Sequence, residues 1–253
     1  MSTINDAVRW NPWHGCIKKS EGCLNCWMYQ MDESKGIDSS IIKRSITQFD
    51  YPVQKDRSGY FKLPMNQYVF TCFTSDFFIE QADGWRDECW EIMKCRSDCK
   101  FQLLTKRPER VLKCLPKDWF DYGDTGYPNV IFAVSCENQR VADERLPILL
   151  DLPFKEKLIF CSPMIGEINM SKYLCDKISA VNVGGENYRG ARPLKEEWVK
   201  SLYEQCVEAN VSFQFWDIGS NFISNGKCYR IKDASIRKQQ AAKSAYQYTR
   251  MES

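Results

Sequence analysis

The chain has 253 residues, 43% of them hydrophobic and 27% charged, with a formal net charge of +2. That balance excludes a disordered or collagen-like chain, and near-neutrality excludes a partner held by bulk charge alone. No apolar run reaches the ~18 residues of a membrane span, and residues 1–11 hold no apolar leader core. No membrane partner is expected, and thirteen Cys point to reduced thiols in a cytoplasmic setting, with metal wherever thiols cluster.

A first strand is expected at 7–10 and a short helix over 24–31. Further strands are expected over 68–73, 101–104, 129–134, 157–160, 180–183 and 212–216. Each is short, rich in β-branched or aromatic residues and apolar on both faces, as buried parallel strands are. Helices alternate with them over 85–99, 138–150 and 194–209. Trp85, Cys89, Ile92 and Met93 recur at three-to-four spacing, as do Val141, Arg145, Ile148 and Leu149, and Pro193 precedes the third helix. The alternation predicts an α/β fold, a partial or complete (β/α) TIM-type barrel of six to eight βα units, with a doubly wound sheet as the alternative. Residues 1–226 are assigned to this barrel with an N-terminal Cys-cluster loop, and 227–253 to a basic helical tail packed on it or extending from it.

Both architectures put chemistry at the C-terminal ends of the strands. Those ends are polar here: Thr74-Ser75-Asp76, Thr105-Lys106-Arg107, Ser135-Cys136-Glu137-Asn138, Cys161-Ser162-Pro163, Gly184-Gly185-Glu186-Asn187 and Trp216-Asp217. Any one of them also suits helix capping. Their recurrence favours a site.

Three Cys fall within eleven residues, Cys16, Cys23 and Cys26, spaced C-x6-C-x2-C. Gly15, Gly22 and Pro12 make the segment a tight loop, and a helix over 24–31 brings Cys23 and Cys26 to one face, near a helix N-terminal dipole that favours thiolates. Three thiolates suit a [4Fe–4S] cluster with one iron left open. Zinc is the alternative metal, with His14, the only His of the chain, completing Cys₃His. Three ordinary thiols are the third option. The other ten Cys have the character of core residues.

The string Trp10-Asn11-Pro12-Trp13-His14-Gly15-Cys16, continued by Gly22-Cys23-Leu24-Asn25-Cys26-Trp27, resembles the N-terminal signature of the phage-type three-Cys-motif family, which is radical-SAM-like. More distantly it is similar to spore photoproduct lyase-like radical SAM proteins. The resemblance continues through Ser75-Asp76-Phe77-Phe78, residues 103–110 and 134–139, Ala142-Asp143-Glu144-Arg145, Gly184-Gly185-Glu186 and Gly190-Ala191-Arg192-Pro193, into Tyr229-Arg230 and Lys238-Gln239-Gln240-Ala241. It departs in spacing, six residues between the first two Cys where radical SAM enzymes usually have three. Asn25 stands where an aromatic usually precedes the last Cys, and Ser162-Pro163 stands where the phage-type family tends to have Glu-Pro.

The resemblance implies a partial TIM barrel and a [4Fe–4S] cluster on Cys16, Cys23 and Cys26. It also implies S-adenosylmethionine chelated by the open iron, and an electron donor such as flavodoxin or ferredoxin. Within it, Thr74, Ser75 and Asp76 suit the methionine ammonium, and Arg145 or Lys106 the carboxylate. Ser135, Glu137 and Asn138 suit the ribose, while Gly184 and Gly185, followed by Glu186, allow close approach of the adenine. No catalytic residue is singled out, and a dedicated partner protein stays open.

Residues 227–253 hold seven Lys or Arg against two acids, with Tyr229, Tyr246 and Tyr248 interleaved. Such a stretch suits nucleic-acid contact, and a nucleic acid or nucleoside as substrate. A solvated closing helix is the plainer account. The alternative function is a metal-stabilised barrel that binds nucleic acid or protein without radical chemistry.

Overall fold

The computed structural model describes residues 7–251; residues 1–6 of the expected barrel and 252–253 of the expected tail lie outside them. The chain is mixed α/β with a mostly parallel eight-stranded sheet. Every expected strand is present, with ends moved by a residue or two: Val8–Trp10, Tyr68–Thr71, Lys100–Thr105, Val130–Ser135, Glu156–Cys161, Ala180–Gly184 and Ser212–Asp217. Val130–Ser135 is buried at every position, which is why it reads as an unbroken apolar run. No closure of the sheet into a barrel is found among the described residues.

The chain divides into two compact units. The first holds the described residues up to Ile17, Lys35–Ala133 and Leu152–Glu156. Within it Tyr68–Thr71 lies parallel to both Val8–Trp10 and Lys100–Thr105. Its core is aromatic: Trp90 meets Phe77 edge-on at 4.9 Å and Trp119 at 5.5 Å, and Phe132 stacks on Phe154 at 4.4 Å. Each such pair adds about 0.5–1.5 kcal/mol beyond its buried area. The helix expected over 85–99 runs over Asp83–Cys95 and stops there. Arg96 leaves helical geometry at φ −106°, ψ 50°. Its buried guanidinium donates to Asp98 and to the carbonyls of Pro52 and Pro64, and those bonds outweigh one more helical turn.

The second unit holds Lys18–Ser34, Val134–Asp151 and the described residues from Lys157 onward. Its sheet runs Glu156–Cys161, Ala180–Gly184 and Ser212–Asp217 in parallel, and Gln247–Tyr248 pairs antiparallel to the last. Helices occupy Gln139–Asp151 and Glu196–Glu208. The second starts later than expected because Leu194–Lys195 pairs as a short strand with Asn221–Ser224. From residue 227 the chain forms a strand, Lys227–Arg230, then the helix Ala234–Lys243, then Gln247–Tyr248. The helix is capped by Asp233, whose carboxylate accepts from the Ser235 and Ile236 N–H groups. No helix among the described residues is long and apolar enough to cross a membrane.

Candidate functional site

Cys16 belongs to the first unit, Cys23 and Cys26 to the second. All three are half-buried, and all thirteen Cys of the chain are thiols rather than disulfides.

Around Cys16 the chain is held by backbone bonds. Its N–H donates to the Ser39 carbonyl at 2.8 Å, and Gly15 donates to the Thr74 carbonyl at 3.2 Å. Gly15 has φ +97°, and a Cβ there would lie 2.6 Å from the Ile41 carbonyl oxygen, so only glycine fits. The Ser75 hydroxyl donates to the Gly15 carbonyl at 2.5 Å. Behind this turn Asp76 is buried. Its carboxylate accepts from the Phe78 N–H, the Thr105 hydroxyl, the Lys106 N–H and Arg107. Arg107 reaches on to the Ile17 carbonyl at 2.6 Å. Burial works against the Arg107 charge, but Asp76 and the adjacent Cys16 thiol outweigh it and raise its pKa above the ordinary value.

Cys23 and Cys26 lie on a segment that two ion pairs hold, one buried and one half-buried. Cys23 ends the 3-10 helix Glu21–Cys23, and Cys26 is the N-cap of the helix Trp27–Glu33. The helix expected over 24–31 therefore begins three residues later. Cys26, at φ −58° and ψ 126°, stands before it and not one turn inside it. From the end of Val130–Ser135, Glu137 accepts the Gly22 N–H at 3.0 Å and pairs with Arg145 at 3.2 Å. Arg145 also donates to the Ser20 hydroxyl and the Ser135 carbonyl. Glu137 and Arg145 are 1% and 5% exposed, so the pair is desolvated. A Cβ on Gly22 would lie 2.9 Å from the Glu137 carboxyl carbon. From the end of Ala180–Gly184, Glu186 accepts from Asn25 at 3.0 Å and from Arg192 at 2.5 Å, and Arg192 reaches the Glu21 carbonyl at 3.0 Å. Burial pushes the Glu186 carboxyl up, but Arg192 and Asn25 outweigh it and leave it below the ordinary carboxylate range.

The other expected site residues divide by what they already bond. Asn138 is a helix cap, its side chain accepting from the Val141 N–H at 3.0 Å. Ser135 is buried. The Thr74 hydroxyl is buried, with no hydrogen-bond partner among the described residues. Gly184 and Gly185 sit under tight contacts: a Cβ on Gly185 would be 2.6 Å from the Ile218 carbonyl oxygen. His14 lies on the strand Trp13–His14, paired with Lys43. Sequence reasoning assigned no role to Asn25 or Arg107, and quoted Arg192 only within a family block. The signal available was a polar residue inside the thiol segment and two Arg that follow strand ends.

Among the described residues no group of three or more His, Cys, Asp or Glu is gathered to hold a metal ion. The donor chemistry nonetheless fits an iron–sulfur cluster: soft thiols on one short segment, none in a disulfide, each part-exposed.

A family model described as "Protein of unknown function (DUF5131)" matches residues 3–248. No curated protein matches the chain. Among solved structures, a spore photoproduct lyase mutant with bound AdoMet and dinucleoside spore photoproduct is 14% identical, with 94% of this chain and 61% of that chain covered and a TM-score of 0.44. Spore photoproduct lyase complexed with dinucleoside spore photoproduct is 15% identical, with 92% and 60% covered and a TM-score of 0.44. The chain thus spans about three fifths of the length of those structures.

Proposed function

The chain belongs to the DUF5131 family, and from that premise we propose that it is an iron–sulfur enzyme of the S-adenosylmethionine-dependent radical class, acting on a nucleic acid or nucleoside. The observation that carries this reading is the grip on the thiol segment. Two acid–Arg pairs, the desolvated Glu137–Arg145 and the half-buried Glu186–Arg192, converge on residues 20–26 from the polar ends of two strands. A buried pair is costly to desolvate and adds little net stability. Its use here is geometric, since it fixes the backbone that carries Cys23 and Cys26.

Cys16, Cys23 and Cys26 would hold a [4Fe–4S] cluster. Bound there, the cluster and S-adenosylmethionine would supply one-electron radical chemistry, drawing on an electron donor of the flavodoxin or ferredoxin class. The protein's part is to hold and to shield. Asp76, Glu137, Arg145 and Glu186 act as positioning residues, because their charges are already matched within the fold. Thr74, Lys106, Ser135, Gly184 and Gly185 are the proposed contacts to S-adenosylmethionine. Thr74 contributes a buried hydroxyl with no partner of its own among the described residues. The nucleic-acid side of the proposal rests on the basic segment from Lys227, where Tyr229 is 41% exposed and the Lys227 ammonium lies 5.1 Å from its ring centre.

Anaerobic protein reduced with dithionite in the presence of S-adenosylmethionine is expected to release 5′-deoxyadenosine. Cys26→Ala should abolish that release while leaving the circular dichroism spectrum intact. Equal release from the variant, or none from the wild type after iron–sulfur reconstitution, would overturn the proposal.

A further inference from the structure

Within the second unit the strand Ser212–Asp217 breaks register against Ala180–Gly184. Phe215 pairs with Val183, but the next partner of Gly184 is Asp217, so Trp216 is the extra residue of a β-bulge. A bulge at a strand end re-aims one side chain. Here it turns the indole over Gly184. A Cβ on Gly184 would lie 2.9 Å from both Cε2 and Nε1 of Trp216, and 3.0 Å from the Ser162 hydroxyl. The glycine is required because the ring lies flush on the backbone.

The indole is 37% exposed, and among the described residues it stacks on no other ring. One polar group lies beside the ring over Gly184, and a second lies on Asp217, the next residue along the strand. The Ser162 hydroxyl, at the end of Glu156–Cys161, has no hydrogen-bond partner among the described residues. Asn187 donates from its amide to Asp217 at 3.3 Å and leaves its own carbonyl oxygen buried and unpartnered. An orphaned acceptor costs stability unless a donor arrives to meet it. Asp217 itself is closed off, since it accepts from Gly219 and Arg237.

From these features we propose a nucleobase platform at the C-terminal ends of three adjacent parallel strands. The Trp216 ring takes one face of the base, Gly184 gives the clearance that sets the ring's height, and Ser162 supplies a hydroxyl for the base edge. Stacking on an indole is tolerant of base identity, whereas a hydroxyl reads an edge. The same chemistry serves the adenine of an adenosyl cofactor or a base of a nucleic-acid substrate. The inference deepens the function proposed above and rests on it for the choice of ligand class.

The test is calorimetric titration of the full chain, purified without its cluster, with S-adenosylhomocysteine in one arm and a short single-stranded oligonucleotide in the other. At least one probe is expected to bind the wild type, and the responding arm identifies the source of the base. Trp216→Ala should weaken that probe by about tenfold or more, the scale of one base–aromatic stack. Trp216→Phe, which keeps a ring, should stay within about threefold. Gly184→Ala, whose Cβ displaces the indole, should follow Trp216→Ala. Binding of neither probe to the wild type overturns the platform, as does a Trp216→Ala variant that binds as tightly as the wild type. Because iron plays no part in this measurement, Trp216-dependent binding in a protein that never assembles a cluster would leave the platform standing and remove only the radical function.

Discussion

Glu186 shows how one carboxylate links the thiol segment to pH. It accepts from Asn25, two residues after Cys23 and one before Cys26, and from the Arg192 side chain and N–H. Burial alone would raise its pKa, but these donors bring it below the ordinary 4.5. A carboxylate with a depressed folded-state pKa stabilises the fold above its unfolded value and loses that contribution as the pH falls through the folded one. The stability difference between wild type and Glu186→Gln should therefore be constant near neutrality and shrink once the pH drops below about 4.5. Denaturant melts of both proteins across pH 3–7 measure it. A difference that does not change with pH would mean that the pair contributes nothing through its charge. The residue was legible as a polar strand end after Gly184-Gly185, but its partners were not. Asn25 lies 161 positions away, and such a contact leaves no local pattern.

At the scale of elements, the burial created by strands and helices decides which thiols react. Cys72 and Cys161 lie at or on strands and Cys89 and Cys206 on inner helix faces. Burial pushes all four thiols up, Cys206 to about 12 and Cys72 and Cys161 well above their ordinary value. Cys95 and Cys228 are exposed. Brief alkylation of native, metal-free protein at pH 8 is expected to label Cys95, Cys228 and the three thiols of the N-terminal segment and to spare those four. Labelling of Cys161 at the rate of Cys228 would contradict the buried strand. The strands were readable because parallel strands buried on both faces leave unbroken apolar runs. The short elements escaped that pattern. The hairpin of Asn221–Ser224 with Lys227–Arg230 carries few core residues, yet its turn was written in the chain: Asn225-Gly226, with φ of 50° and 73°, is the pair that a tight hairpin turn prefers. The helix expected over 24–31 starts late because the carbonyl-rich turn around Cys23 is set by Glu137 and Arg192, groups invisible to a local reading.

At the scale of the whole molecule, a +2 chain with no spanning helix among its described residues carries its chemistry in local features and not in bulk charge. The buried acids of the strand ends are matched by Arg residues within each unit, as in Asp76–Arg107, Glu137–Arg145, Glu186–Arg192 and Asp217–Arg237. Four such pairs at strand ends leave the thiols as the reactive groups of the N-terminal segment. The most direct measurement is elemental: iron, acid-labile sulfide and zinc per chain in protein purified without oxygen. About four irons and four sulfides per chain, lost in Cys23→Ala, are predicted. One zinc per chain with no sulfide, or iron content that survives Cys23→Ala unchanged, would contradict it.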